Sequence, residues 1–184
     1  IVWSQMGWNP EKDVTEVVAE YSRYFFGSSV ATDGANGILA LERNWVGPVE
    51  ENGGVETTLS FWQNLEQKHS ELKNNWRWQQ LVMRAYYDTY VRRRKIYEQN
   101  LEKDANQILA KAPQSGAEKA MTEALELVNK ADKELVSPEL RQKVFDYCEA
   151  LWQSVGAQTS VKKYNASGPE RGDDRRTGGP EAPP

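Results

Sequence analysis

Arg84 and Asp88 stand four residues apart, one turn of an α-helix, and Arg77 lies two turns before Arg84. A guanidinium and a carboxylate on adjoining turns can pair with each other or present donors and acceptors to the hydroxyls of a polyol. They belong to the run from Asn75-Trp76-Arg77-Trp78 to Tyr86-Tyr87-Asp88, which is dense in aromatic rings. A flat ring with a polar handle can stack on the mixed face of a sugar. The plainer expectation is that these rings take core positions and that Arg84 and Asp88 form a solvated pair, worth roughly 0.3–0.5 kcal/mol.

Other residues carry weaker chemistry. Glu42, in Leu41-Glu42-Arg43-Asn44-Trp45 beside Gly47-Pro48, is the first acid to consider as a catalytic carboxylate. A glycosidase pair needs two carboxyls held about 5–10 Å apart, which spacing does not supply, so Glu42 is expected in a salt bridge. Cys148 falls on an apolar stripe and is expected to be buried and inert. His69, the one histidine, shares a stripe with Leu65 and Leu72 and is expected to be packed rather than a ligand or base. The seven tryptophans predict a large aromatic core.

Helices must position these groups. Asp13, three residues before Glu16, forms a variant capping box that starts a first helix over 13–26, closed by Gly27. A second run, 30–45, carries Ile38, Leu41 and Trp45 on one face, although Gly34 and Gly37 each weaken it by about 1 kcal/mol relative to alanine. Leu59, Trp62, Leu65, His69 and Leu72 line a third helix. Residues 75–111 contain no Gly or Pro and predict a spine about 55 Å long. Ala117, Ala120, Met121, Ala124, Leu125, Val128 and Ala131 give a fifth helix a small-residue packing face, and Ser137-Pro138-Glu139 is a strong start for a sixth. The expected fold is all-α: an irregular bundle of about six helices with one long central helix. Residues 1–8, apolar and aromatic, read as a strand or ordered loop, and 1–12 as a whole is expected to be a linker or edge segment from an upstream domain. The bundle takes 13–156, and 157–184, full of Gly, Pro and mixed charge, forms an extended polar tail expected to be largely disordered.

The 184 residues hold 23 Lys and Arg against 27 Asp and Glu, a net charge of −4. Between residues 75 and 97, six basic residues meet one acid, so charge is segregated. Arg92-Arg93-Arg94 sweeps about 200° of a helix and cannot form one flat phosphate-binding patch. With the acidic remainder, this argues against nucleic acid as a partner. One cysteine excludes an internal disulfide framework and multi-cysteine zinc patterns, and one histidine excludes histidine-rich metal sites. No cofactor is implied. No stretch approaches the roughly 20 apolar residues of a membrane span, so no membrane partner is expected.

Ile1-Val2-Trp3-Ser4, Trp8-Asn9-Pro10, Tyr21-Ser22-Arg23-Tyr24-Phe25-Phe26-Gly27, Leu41 through Trp45, and Asn75-Trp76-Arg77 through Arg84-Ala85-Tyr86-Tyr87-Asp88 together resemble the carboxy-terminal helical region of large bacterial glycoside-hydrolase-like proteins. The likeness covers about residues 1–165. In relatives of this plan, the α-glucuronidase and α-N-acetylglucosaminidase groups among them, a catalytic barrel precedes a helical region packed beside it. The resemblance implies an accessory domain whose partner is the upstream catalytic domain of the same parent, with carbohydrate as a further partner. It implies no catalytic residue in this chain. Trp3, Trp8 and Asn9 are the nearest candidates for lining a cleft, followed by Glu42, Arg77, Arg84 and Asp88. The alternative is a non-enzymatic helical module that binds another protein through its aromatic and arginine-rich faces. Localisation is not legible, the parent being an exported protein on one reading.

Overall fold

A computed structural model describes residues 2–155. Within them the chain is all-α: α1 (Val2–Trp8), α2 (Val14–Phe26), α3 (Ala31–Arg43), α4 (Gly54–Lys68), α5 (Trp76–Ala110), α6 (Ala112–Ser115), α7 (Ala117–Val128), α8 (Lys130–Lys133) and α9 (Pro138–Val155), with 3-10 turns over Ser28–Val30 and Ser70–Asn74. Six of these helices have twelve residues or more. The expected polar tail lies outside the described residues.

The helix starts follow local chemistry. Asp13 accepts from the Thr15 amide at 2.8 Å to cap α2. Gly27 ends that helix at φ 103°, a backbone conformation that favours glycine. Asn75 accepts from the amides of Arg77 and Trp78 at 3.0 and 3.4 Å. Its Nδ2 donates to the Phe25 carbonyl at 2.9 Å, so one side chain caps α5 and ties it to α2. The spine α5 is 35 residues long and packs against α4, α7 and α9, while α2 packs on α3. Its first half buries Trp78, Val82, Ala85 and Tyr86 in a core shared with Phe26, Leu41, Trp62 and Leu65. Its outer half buries only Leu101 and Ala105, where α7 lies alongside with Ala120 and Ala124 buried.

Five expectations are corrected. Residues 2–8 form a helix, not a strand or loop: with no partner strand among the described residues, a helix is the regular element that pairs the backbone within the segment itself. Gly34 and Gly37 do not interrupt the second run, since α3 is continuous over Ala31–Arg43. Both are buried, and a Cβ built on Gly37 would stand 2.7 Å from Trp62 Cζ2, so the missing side chain is what lets α4 approach. The third helix ends at Lys68: His69 leaves helical geometry at φ −124° and ψ 52°, and Leu72 belongs to the 3-10 turn, its amide bonding the His69 carbonyl at 3.0 Å. On α7 the packing face is narrower than predicted. Met121, Leu125 and Val128 are exposed because they sit one residue, or about 100°, round from Ala120, Ala124 and Leu127. Finally, only Trp62 and Trp78 of the seven tryptophans are buried, and they meet edge to face with centroids 5.2 Å apart. Trp3, Trp8, Trp45, Trp76 and Trp152 are exposed, since most of the core is supplied by aliphatic residues and Phe or Tyr.

Candidate functional site

Asp88 is the most buried charged residue among the described residues, with 1% of its surface exposed, on the face of α5 that meets the end of α3. Asn44 Nδ2 donates to its Oδ2 at 2.9 Å, and Trp45 Nε1 donates to its Oδ1 at 2.9 Å. Arg84 Nε lies 3.9 Å from Oδ2, while Arg84 Nη1 pairs with Glu42 at 2.9 Å. Burial raises the Asp88 pKa above the ordinary aspartate value, against the hydrogen bonds from Asn44 and Trp45 and the charge of Arg84. The expected solvated Arg84–Asp88 pair is therefore corrected: the carboxylate is internal, and its strongest partners are neutral N–H donors. Helical spacing finds Arg84 but cannot show Asn44 and Trp45, which arrive from more than 40 positions away.

Of the candidate residues, Glu42, Arg84 and Asp88 are thus brought into one network. Glu42 is exposed and salt-bridged, as expected. Arg77 stands apart, its guanidinium 3.9 Å from the Phe25 ring centroid and 4.1 Å from that of Trp76. Trp3 and Trp8 are each 92% exposed on α1. Asn9 accepts from the Glu11 amide in the turn that follows. Arg93 grips Glu56 with Nε and Nη2 at 2.9 and 2.8 Å, and Arg94 pairs with Glu98 at 2.6 Å, so the arginine triplet is largely spent on internal ion pairs. Cys148 is buried against Met83, 3.4 Å sulfur to sulfur, and burial pushes its thiol up. His69 packs edge-on to Trp78 and bonds Glu71 through Nδ1 at 3.1 Å.

Two features escaped the sequence. The first is a cleft of about 410 Å³ between α3 and α4, lined by Asn36, Arg43, Asn44, Thr57, Thr58 and Phe61 among others, with no Asp or Glu in its wall. The loop that shapes it is clipped by Asn52, whose Nδ2 donates to the carbonyls of Arg43 and Asn44 at 2.9 and 3.2 Å and whose Oδ1 accepts from the Gly54 amide. Asn52 beside Gly53-Gly54 was the available local signal for that loop. The second is a half-buried carboxylate, Glu66, which accepts from the hydroxyls of Tyr86 (3.3 Å) and Tyr147. It joins α4, α5 and α9, and the two tyrosine rings stack with centroids 5.8 Å apart. Burial raises the Glu66 pKa, opposed by the Tyr86 hydrogen bond and the charge of Lys143.

The Glu66 arrangement predicts a pH effect. A carboxyl whose folded pKa is raised contributes stability in acid, and that contribution is lost as pH rises through the folded value. Glu66→Gln removes the titration while keeping the size of the side chain. The variant is expected to be more stable than the parent in mildly alkaline buffer, with the gap closing in mildly acid buffer; thermal melts across pH check this.

Among the described residues no group of three or more His, Cys, Asp or Glu is arranged to hold a metal ion. No helix among them is long and apolar enough to cross a membrane. No protein-family model, curated protein or solved structure matches the chain.

Proposed function

We propose that this chain is a non-catalytic helical accessory domain of a carbohydrate-active hydrolase, docking beside a catalytic barrel of the same parent protein. The observation that carries the proposal is α1. Its seven residues bury none of their number, and Trp3 and Trp8 stand 92% exposed while a core without them is complete. Covering a large apolar side chain stabilises an assembly by roughly 1.5–3 kcal/mol, so two bare tryptophans on one short helix form a strong docking element. The sequence resemblance names the occupant: the barrel that precedes the helical region in such proteins. Carbohydrate enters as the parent's substrate, and the acid and nucleophile lie in the barrel.

The test uses the parent protein. Trp3→Ser with Trp8→Ser is expected to loosen the barrel from the bundle, seen as faster limited proteolysis between them, while the same changes alter the stability of residues 1–184 by no more than about 0.5 kcal/mol. Unchanged proteolysis in the parent would overturn the docking role. The second reading, a protein-binding module, draws on the exposed Met121, Leu125 and Val128 of α7. A parent without a strand-and-helix barrel carrying paired acids would favour it.

A further inference from the structure

The polar atoms of the α3–α4 cleft can be accounted for one by one. Asn44 donates its amide N–H to the Ala40 and Leu41 carbonyls at 3.2 and 3.3 Å, and its own carbonyl accepts from Asn52. One N–H of its Nδ2 is spent on Asp88. What remains is the second N–H of Nδ2 and Oδ1, the latter a hydrogen-bond acceptor held in one orientation because only the amide nitrogen can donate to a carboxylate. Asn44 lines the cleft, and Oδ1 is not among the buried polar atoms sealed from solvent without a partner.

Thr58 also lines the cleft and is 6% exposed, yet its hydroxyl makes no hydrogen bond with any described residue and is not sealed from solvent. It can donate and accept. At the rim, Asn36 and Thr57 are exposed, and with the described residues their side chains make no hydrogen bond and Arg43 makes no ion pair. The half-buried ring of Phe61 supplies an apolar surface.

This set discriminates between ligand classes. An oxyanion would suit Arg43 but would meet the fixed acceptor Asn44 Oδ1 oxygen to oxygen. An amine or metal cation would suit Oδ1, but finds no carboxylate in the wall and faces the Arg43 charge. A hydroxyl group both donates and accepts, so it can satisfy Oδ1 with its proton and Arg43 or Thr58 with its lone pairs. A ring bearing several hydroxyls would also offer C–H surface to Phe61. We infer that the α3–α4 cleft is a binding site for a neutral, polyhydroxylated ring of about one sugar unit. The volume lies within the range of small-molecule sites, about 300–1,000 Å³. The inference concerns a surface distinct from α1 and does not depend on the docking role of that helix.

The test is an NMR titration of residues 1–184 with the methyl glycosides of glucose, galactose and N-acetylglucosamine, with sodium acetate and sodium phosphate run in parallel. At least one glycoside is expected to shift the backbone amides of Asn44, Gly54 and Thr58 saturably. Thr58→Val, which keeps side-chain shape and removes the hydroxyl, is expected to weaken that binding about tenfold. Asn36→Ala, at an exposed position that the fold does not need, is expected to weaken it severalfold with an unchanged melting temperature. Shifts with acetate or phosphate alone, no saturable shift with any of the three glycosides, or glycoside binding indifferent to both substitutions would each overturn the inference.

Discussion

Asp88→Ala is expected to destabilise the protein by about 2–4 kcal/mol, read as a lower urea midpoint with an unchanged slope. Alanine leaves Asn44 Nδ2, in a residue almost wholly buried, with no acceptor, and takes the acceptor from Trp45 Nε1 at the edge of the core. Trp45 is half exposed and can recover water, which limits the loss. Arg84→Met is the informative contrast. It removes the ion pairs to Asp88 and the exposed Glu42 and a long bond from Nη2 to the Leu41 carbonyl at 3.4 Å, whose oxygen keeps the Asn44 amide as a donor, and should cost about 1 kcal/mol. A small, salt-sensitive effect at Asp88 would mean that the pair is solvated after all. The substitution should also free the Asn44 amide to turn, so the α3–α4 cleft would lose its fixed acceptor.

Gly37→Ala tests a reversal of sign. Helix propensity alone predicts stabilisation by about 1 kcal/mol, since glycine is a poor helix former. The tertiary structure predicts destabilisation by about 1–3 kcal/mol. The added methyl would stand 2.7 and 2.9 Å from Trp62 Cζ2 and Cε2 and 3.2 Å from Phe61 Cε1. These are ring atoms in the wall between α3 and α4. Trp62 has no room to withdraw, being fully buried, edge to face with Trp78 and bonded through Nε1 to the Gly37 carbonyl at 3.3 Å. Moving the ring would stretch that bond and open the core, so the methyl cannot be absorbed by a flexible side chain. Thermal unfolding of Gly37→Ala beside the unaltered chain decides between the two signs, and a raised melting temperature would show that α3 and α4 are less tightly opposed.

Local sequence determines much of this protein. The spine was expected over 75–111 and is found at Trp76–Ala110, because 35 residues without Gly or Pro, opened by an asparagine cap, have no competing local structure. The boundaries of α2 follow from Asp13 and Gly27 for the same reason: caps act within three residues of their own position. The start of α9 at Pro138 is legible in the same way. Burial of Cys148 could be read from its stripe, since helical periodicity reports which face turns inward; His69 packs on Trp78 from beyond the end of α4, where that periodicity no longer applies.

What could not be read is everything that depends on a second element. Periodicity says that Trp62 faces a core but not that Gly37 must be bare to receive it. It places Arg84 and Asp88 on adjoining turns but cannot tell a solvated pair from a carboxylate sealed by Asn44 and Trp45. Glu66 reads as an ordinary surface acid on α4, until α5 and α9 bring Tyr86 and Tyr147 to it. The aromatic residues of 2–8 announce stickiness, but only the packed bundle shows that its core has no place for Trp3 and Trp8. A helix cap is a contact between neighbours in the chain, so the sequence contains both partners side by side. The hydrogen bonds and close helix crossings that set these sites join residues 20 to 81 positions apart, and their energy depends on distances of a few tenths of an ångström that only the tertiary structure sets.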